Sequence, residues 1–346
     1  MYRDNIKKLV RLNLKMEKQE TKRQHYVPET YLNKFGKERK ESVFQVFVLN
    51  KERLKNPFTV NTSKICVETN LYTLDGHSEE ERQLIENFYN KEIEQKYNAI
   101  YQLLTDDNVR EVTLAQKELI IATAITLLFR VTKWLTSHNE FIGRVFEKGM
   151  QSAEQYGKDY FLFEGDKISF KGKSPKELVN EYAQKSKERN IITPLQVALK
   201  LIELKKSDTI SVIKLEDESH SFITSDNPIA LYNFKMRFFA PFDPDNIISM
   251  PLNSKYKLTI YPNDGIYKPE YISRIFHKGI LAYTETMTNN VEQFNNAERF
   301  VIGDFETLNG FETFLKKAQN PVEIKEEKSK ELEKILLISR KLGIIK

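Results

Sequence analysis

From Glu79 to Leu104 the apolar residues Leu84, Ile85, Phe88, Tyr89, Ile93, Tyr97, Ile100, Tyr101 and Leu104 recur at steps of three and four. That spacing predicts a helix burying one stripe. Thr113 predicts the N-cap of the next helix, with Gln116 three residues on as its capping-box partner. This helix runs through Leu119, Ile120, Ala122, Ile125, Leu128, Val131 and Leu135, is apolar on most faces, and is therefore expected to be central. Helical patterns also cover 140–160 and 174–205, with Ser174-Pro175 and Thr193-Pro194 as starts.

Other stretches have the texture of strands. Val43 to Leu49 predicts a buried strand by its length and β-propensity. After residue 208, short β-prone runs (Thr209–Leu215, Ser221–Thr224, Ala230–Phe239, Ile247–Leu252, Lys257–Tyr261) are split by Pro, Asn and Asp. Arg274 to Met287 reads as helical, and Phe300-Val301-Ile302 as a short strand. Helices and strands are segregated, so the expected class is α+β: a helical middle, short strands near the N-terminus and a β-rich C-terminal part. The expected divisions are a basic leader (1–21), a single domain (22–303, with its helical middle at 79–205 and β-rich part at 208–303) and a charged helical tail (304–346).

Composition narrows the class. The chain has 346 residues, 40% of them hydrophobic, which is enough for a substantial core. Its one cysteine, Cys66, rules out an intrachain disulfide and a Cys-rich zinc site. Cys66 lies in an apolar run and reads as buried filler. The expected setting is cytoplasmic and away from membranes, because no apolar run reaches about twenty residues. Charge is uneven: the first 40 residues net +7 against +5 for the whole chain, so the rest is slightly acidic. A basic arm can attract a phosphate backbone without reading bases.

Two local motifs stand out. One is Arg23-Gln24-His25-Tyr26-Val27-Pro28, followed by Tyr31-Leu32 and Phe35; the other is Phe222-Ile223-Thr224-Ser225-Asp226-Asn227-Pro228. With Asn70-Leu71-Tyr72, Glu86, Arg130, Pro251-Leu252, Asn290, Ala297 and Phe300-Val301, they make the chain similar to a bacterial family catalogued as domain of unknown function 4238. The resemblance spans roughly residues 22–303 and implies kinship rather than a reaction.

Several of these residues could carry chemistry. His25 can serve as base, acid or metal ligand, because its unperturbed pKa lies near neutrality; a structural histidine bonded to a carbonyl is the plainer alternative. Asp226 could act as a base or metal ligand, and Asn227 could donate to a phosphate oxygen, although an Asx-turn would use the same residues. Gln24 and Ser225 flank these candidates and are expected to contact substrate. Arg130, on a mostly apolar helix, calls for an anionic partner: Asp226, Glu86 or a substrate phosphate. Glu86 and Glu94 could offer carboxylates to a metal, or simply form a solvated acidic face.

The leading expectation is a phosphodiester hydrolase acting on nucleic acid or a nucleotide, as in bacterial defence. His25 and Asp226 would be catalytic, and Gln24, Arg130, Ser225 and Asn227 would bind substrate. A divalent metal (Mg or Mn) would sit among candidates His25, Glu86 and Asp226. The alternative is a non-catalytic binding or sensor module working with a protein partner, in which both motifs are structural clasps.

Overall fold

The computed structural model describes residues 22–74, 78–235 and 242–318. The basic leader and the apolar positions near the end of the charged tail lie outside them. The fold is mixed α+β, with helices through the middle of the chain and strands on either side.

Two larger sheets organise the molecule. The first contains β8 (Thr209–Leu215), β10 (Ala230–Tyr232), β11 (Ile247–Pro251), β12 (Tyr256–Tyr261) and β13 (Ile272–His277), in the order β10-β11-β12-β8-β13. Only the β13–β8 pair is parallel. On it pack α5 (Leu114–Arg130) and α8 (Lys187–Lys205), through Ile120, Ile121, Ala124 and Ile125 on one helix and Ala198, Leu201 and Ile202 on the other. Ile210, Val212, Ile248, Met250, Leu258 and Ile260 of the sheet complete that core. The strands bury one full face, and α5 is buried nearly all round, as its apolar sequence requires.

The second sheet joins the two ends of the chain. β3 (Val43–Asn50) pairs along one edge with β4 (Phe58–Asn61). Its other edge is shared by β2 (Lys37–Lys40) and β14 (Phe300–Gly303). β14 then pairs with the two-residue β9 (Thr224–Ser225). Helix α10 (Phe305–Ala318), the first part of the expected charged tail, buries Leu308 and Phe311 against Leu49, Ile223 and Val301.

The remaining elements build the surroundings of the site. β1 (Arg23–His25) pairs antiparallel with β5 (Val67–Thr69), followed by the short α1 (Glu29–Leu32). The expected 79–104 helix is segmented into α2 (Glu79–Arg82), α3 (Leu84–Phe88), a π-helical stretch (Tyr89–Glu94) and α4 (Gln95–Thr105). α6 (Thr132–Gln155) continues from α5 after a 47° bend. The bend is made by Val131, whose ψ of 152° is extended. α7 (Pro175–Lys185) and α9 (Ile280–Asn296) complete the helices needed below. Among the described residues no single helix is long and apolar enough to cross a membrane.

Three expectations need correction. The helix expected over 140–160 stops at Gln155, and a hairpin follows: β6 (Tyr160–Phe163) and β7 (Asp166–Ser169). Glu164 and Gly165 form its turn with φ of 51° and 89°, the left-handed pair that matches strand twist. Arg274 to Met287 is not one helix: β13 continues to His277, and Gly279 at φ 60° separates it from α9. The parallel partner β8 wins over the local helical pattern there. Thr193-Pro194 does not start a helix, because Pro194 lies inside α8. The packed face formed by Leu195, Ala198, Leu201 and Ile202 outweighs the local cost of proline.

Candidate functional site

The first motif ties a loop to the end of α5. Gln24 is fully buried; its amide donates to Thr73 Oγ1 (3.3 Å), and its Oε1 accepts from Tyr72 N–H (2.7 Å). Tyr72 in turn donates its hydroxyl to the carbonyl of Arg130 (2.7 Å). That carbonyl ends α5 and has lost its helical partner at the Val131 bend, so the tyrosine satisfies it. His25 is half-buried, with Nε2 3.4 Å from the Thr62 carbonyl. Burial pushes its pKa below the usual histidine value, while Glu29 and Glu94 raise it and Arg130 lowers it. Tyr31 of the same motif donates to the Pro251 carbonyl (2.8 Å) and accepts from Thr224 (2.6 Å), so the two motifs touch there.

The second motif is closed on both edges. One edge pairs with β14; the other faces a row of amides on α9. Asn290 Oδ1 accepts from Ile223 N–H (3.0 Å), and Asn289 donates to the Ile223 carbonyl (3.0 Å). Gln293 accepts from the Ser225 hydroxyl (2.8 Å) and donates to the Pro228 carbonyl (2.8 Å). Asn227 donates to the Asn296 carbonyl (3.2 Å). Positions 289, 293 and 296 recur at helical spacing, so one face of α9 holds the whole segment. Asp226 is 1% exposed, and its carboxylate accepts the backbone N–H groups of Glu298 (2.9 Å), Arg299 (2.8 Å) and Phe300 (3.1 Å). Burial raises its pKa, and these three bonds oppose that rise.

Arg130 is the centre of a different arrangement. It is 3% exposed and donates Nη1 to Glu94 (2.7 Å), with Glu86 3.9 Å from Nη2. Eight residues of regular α-helix turn about 800°, leaving Glu94 about 80° away from Glu86. The wider π-helical stretch between them absorbs that difference, so both carboxylates reach one guanidinium. The guanidinium carbon also lies 4.5 Å from the Tyr89 ring centroid and 5.5 Å from that of Tyr72. Burial pushes the Glu86 carboxyl up to about 7, against the attraction of Arg130 and assisted by the charge of Glu94. Arg130 Nε and Nη2 have no hydrogen-bond acceptor, nor has Glu86 Oε2 a donor.

Of these residues Arg130, Tyr72 and Tyr89 border a cleft of about 610 Å³ between the β1–β5 hairpin, the α5–α6 junction and α8. Tyr72, Tyr89, Phe129 and Trp134 supply aromatic surface, and Asn70, Asn139 and Asn190 supply amides. The first turn of α6, Thr132 to Leu135, runs along the wall, and no side chain caps it because the preceding residue is Val131. Glu298 accepts only the Thr132 hydroxyl there (2.5 Å). Arg130 also borders a small space of about 10 Å³ beside Thr30 and Tyr97, room for one water at most.

The expected site residues therefore fall into two groups. Glu86 and Arg130 lie together, with Glu94 added, and His25 is within electrostatic reach of Glu94 and Arg130. Gln24, Ser225, Asp226 and Asn227 are buried and hydrogen-bonded inside the fold. No hydrogen bond or ion pair joins Asp226 to His25 or Arg130; its charge acts on Tyr26, Cys66, Lys51 and Lys133. Among the described residues no group of three or more His, Cys, Asp or Glu is gathered to hold a metal, so the candidates His25, Glu86 and Asp226 do not form one centre. Thr132, Trp134, Asn139 and Asn190 escaped the sequence reading. The one signal that could have marked this wall was Pro194 within an otherwise helical stretch. No curated protein and no solved structure matches the chain. Residues 23–307 match the family described as Protein of unknown function (DUF4238), and the chain belongs to that family.

Proposed function

We propose that this protein binds a nucleotide in the cleft beside Arg130. The observation that carries the reading is a buried arginine, two of whose guanidinium nitrogens lack a hydrogen-bond acceptor, on a residue that borders a ligand-sized, aromatic-lined cleft. A buried arginine forgoing hydrogen bonds is costly, about 1–3 kcal/mol per group, unless a ligand supplies acceptors. The uncapped first turn of α6 favours negative charge at the same end of the cleft. Glu86 does not block an anion, because its Oε2 is not hydrogen-bonded and its carboxyl is about half protonated near pH 7. Trp134 offers a flat face to a planar base, and the amides suit the polar edges of a sugar or base.

Phosphodiester hydrolysis is the second reading. What favours it is His25, a half-buried imidazole kept neutral by burial and lying within electrostatic reach of Glu94 and Arg130. With Asp226 held by backbone donors, the base role would fall to His25 alone.

Calorimetric titration with ribonucleoside 5′-monophosphates and triphosphates tests binding, with Arg130→Lys and the paired Asn139→Ala, Asn190→Ala variant alongside. Micromolar binding weakened tenfold or more in both variants is expected. Absence of binding at millimolar nucleotide in the folded wild type would end the reading. A parallel product assay with Mg²⁺, Mn²⁺ or chelator, repeated with His25→Ala, separates hydrolysis from binding alone.

A further inference from the structure

The cleft does not end at Trp134. Past it lies a smaller lobe of about 180 Å³, and Trp134, Leu135, Asn190 and Pro194 border both spaces. His138, Glu164 and Arg189 face this lobe, and none of them belongs to either sequence motif.

Two independent observations mark it as fit for a ligand. His138 Nε2 is buried and has no hydrogen-bond partner. Pro194 has no N–H, so the Asn190 carbonyl, one helical turn earlier, loses the donor that α8 would otherwise give it. Glu164, in the β6–β7 hairpin turn, accepts from Arg189 Nη1 (2.6 Å) and the Tyr182 hydroxyl (3.1 Å). The hairpin turn thus fixes an acceptor and a guanidinium side by side at the mouth of the lobe.

The chemistry of the lobe differs from that at Arg130. A carboxylate and a backbone carbonyl repel a phosphate, whereas imidazole, guanidinium, carboxylate and carbonyl together match a neutral planar group with donors and acceptors on one edge. The indole of Trp134 and the ring of Pro194 provide flat walls at its entrance. From Thr132, in the uncapped turn of α6, to His138 is six residues, or about 9 Å along the helix axis. That is about the reach of one sugar between a phosphate and a base.

We propose that the lobe lined by His138, Glu164, Arg189 and Asn190 is the base-reading subsite for the nucleotide whose phosphate lies beside Arg130. This rests on the nucleotide reading above and adds where, and by which residues, the base is selected. The main cleft then holds the sugar and phosphate, and Trp134 divides the two parts.

The test compares the four ribonucleoside 5′-monophosphates with ribose 5-phosphate by calorimetry at pH 7, for wild type, His138→Ala and Arg189→Gln. Wild type is expected to prefer one base at least tenfold over the least favoured. In both variants the affinity ratio of that nucleotide to ribose 5-phosphate should fall at least tenfold. Thermal unfolding confirms that each variant is folded, and Glu164→Gln, on the exposed turn, serves if one is not. Nucleotide binding whose base preference survives all three substitutions would overturn the subsite while leaving the nucleotide reading intact. Failure of every nucleotide to bind wild type would remove both.

Discussion

Glu86 carries a carboxyl that is 14% exposed and sits 3.9 Å from Arg130 Nη2, yet burial outweighs that attraction and lifts its pKa from 4.5 to about 7. A raised acid pKa means that the folded protein holds the proton more tightly than the unfolded chain. Stability from this group is therefore present at low pH and is lost as pH rises from about 4.5 through 7. The full shift corresponds to about 3 kcal/mol. Glu86→Gln should raise stability by up to that amount at pH 8 and change it little at pH 4, measured by urea denaturation at both. Glu94 takes the other side of Arg130 with a direct bond at 2.7 Å. From sequence alone Arg130 called for an anion, with Glu86 among the candidates; Glu94 supplies the hydrogen bond, and Glu86 lies at ion-pair distance without one. Glu94 was not legible as that partner, because its reach depends on the π-helical turn after Glu86, which residue spacing in a regular helix does not foretell.

At the scale of elements, α8 shows a local rule giving way to packing. Pro194 reads as a helix start, yet the helix begins seven residues earlier at Lys187 and passes through it. The residues that follow it face the core, and burying one such side chain is worth about 1.5–3 kcal/mol, so several together exceed the roughly 3 kcal/mol cost of an interior proline. Pro194→Ala should return the Asn190 carbonyl to the helix, raise stability by about 1–3 kcal/mol, and weaken nucleotide discrimination in the calorimetric panel. Raised stability with discrimination unaltered would mean that the carbonyl takes no part in recognition. The capping box at Thr113–Gln116 was legible in full and Ser174-Pro175 was legible as a helix start, because a cap and its partners lie within four residues. The hairpin at 160–169 was not, since its pattern is short and follows a long helical one.

Across the whole molecule, the two motifs act through the sheet that joins the chain ends. Asp226 holds the backbone at Glu298, Arg299 and Phe300, and Phe300 begins the strand that pairs with Asn50 of β3. Asp226→Ala would leave three buried donors without acceptors and should cost about 3 kcal/mol or more. Its signature is distant: amide exchange should quicken at Val48 and Leu49, which contact β14 but lie far from residue 226 in sequence. A loss of stability without faster exchange in β3 would show that Asp226 acts only locally. What the sequence alone determined was whatever depends on neighbours along the chain: the helical stripe of 79–104, the capped starts, the central α5, the α+β class and the kinship carried by two short motifs. What only the tertiary structure decided was which polar residues meet. Gln24, Ser225, Asp226 and Asn227 have the chemistry of a site, but their hydrogen-bonding capacity is taken up by partners remote in sequence. Arg130 retains donors without acceptors beside a cleft because a bent junction, a π turn and Tyr72 fix its surroundings, and those are relations in space that no local pattern encodes.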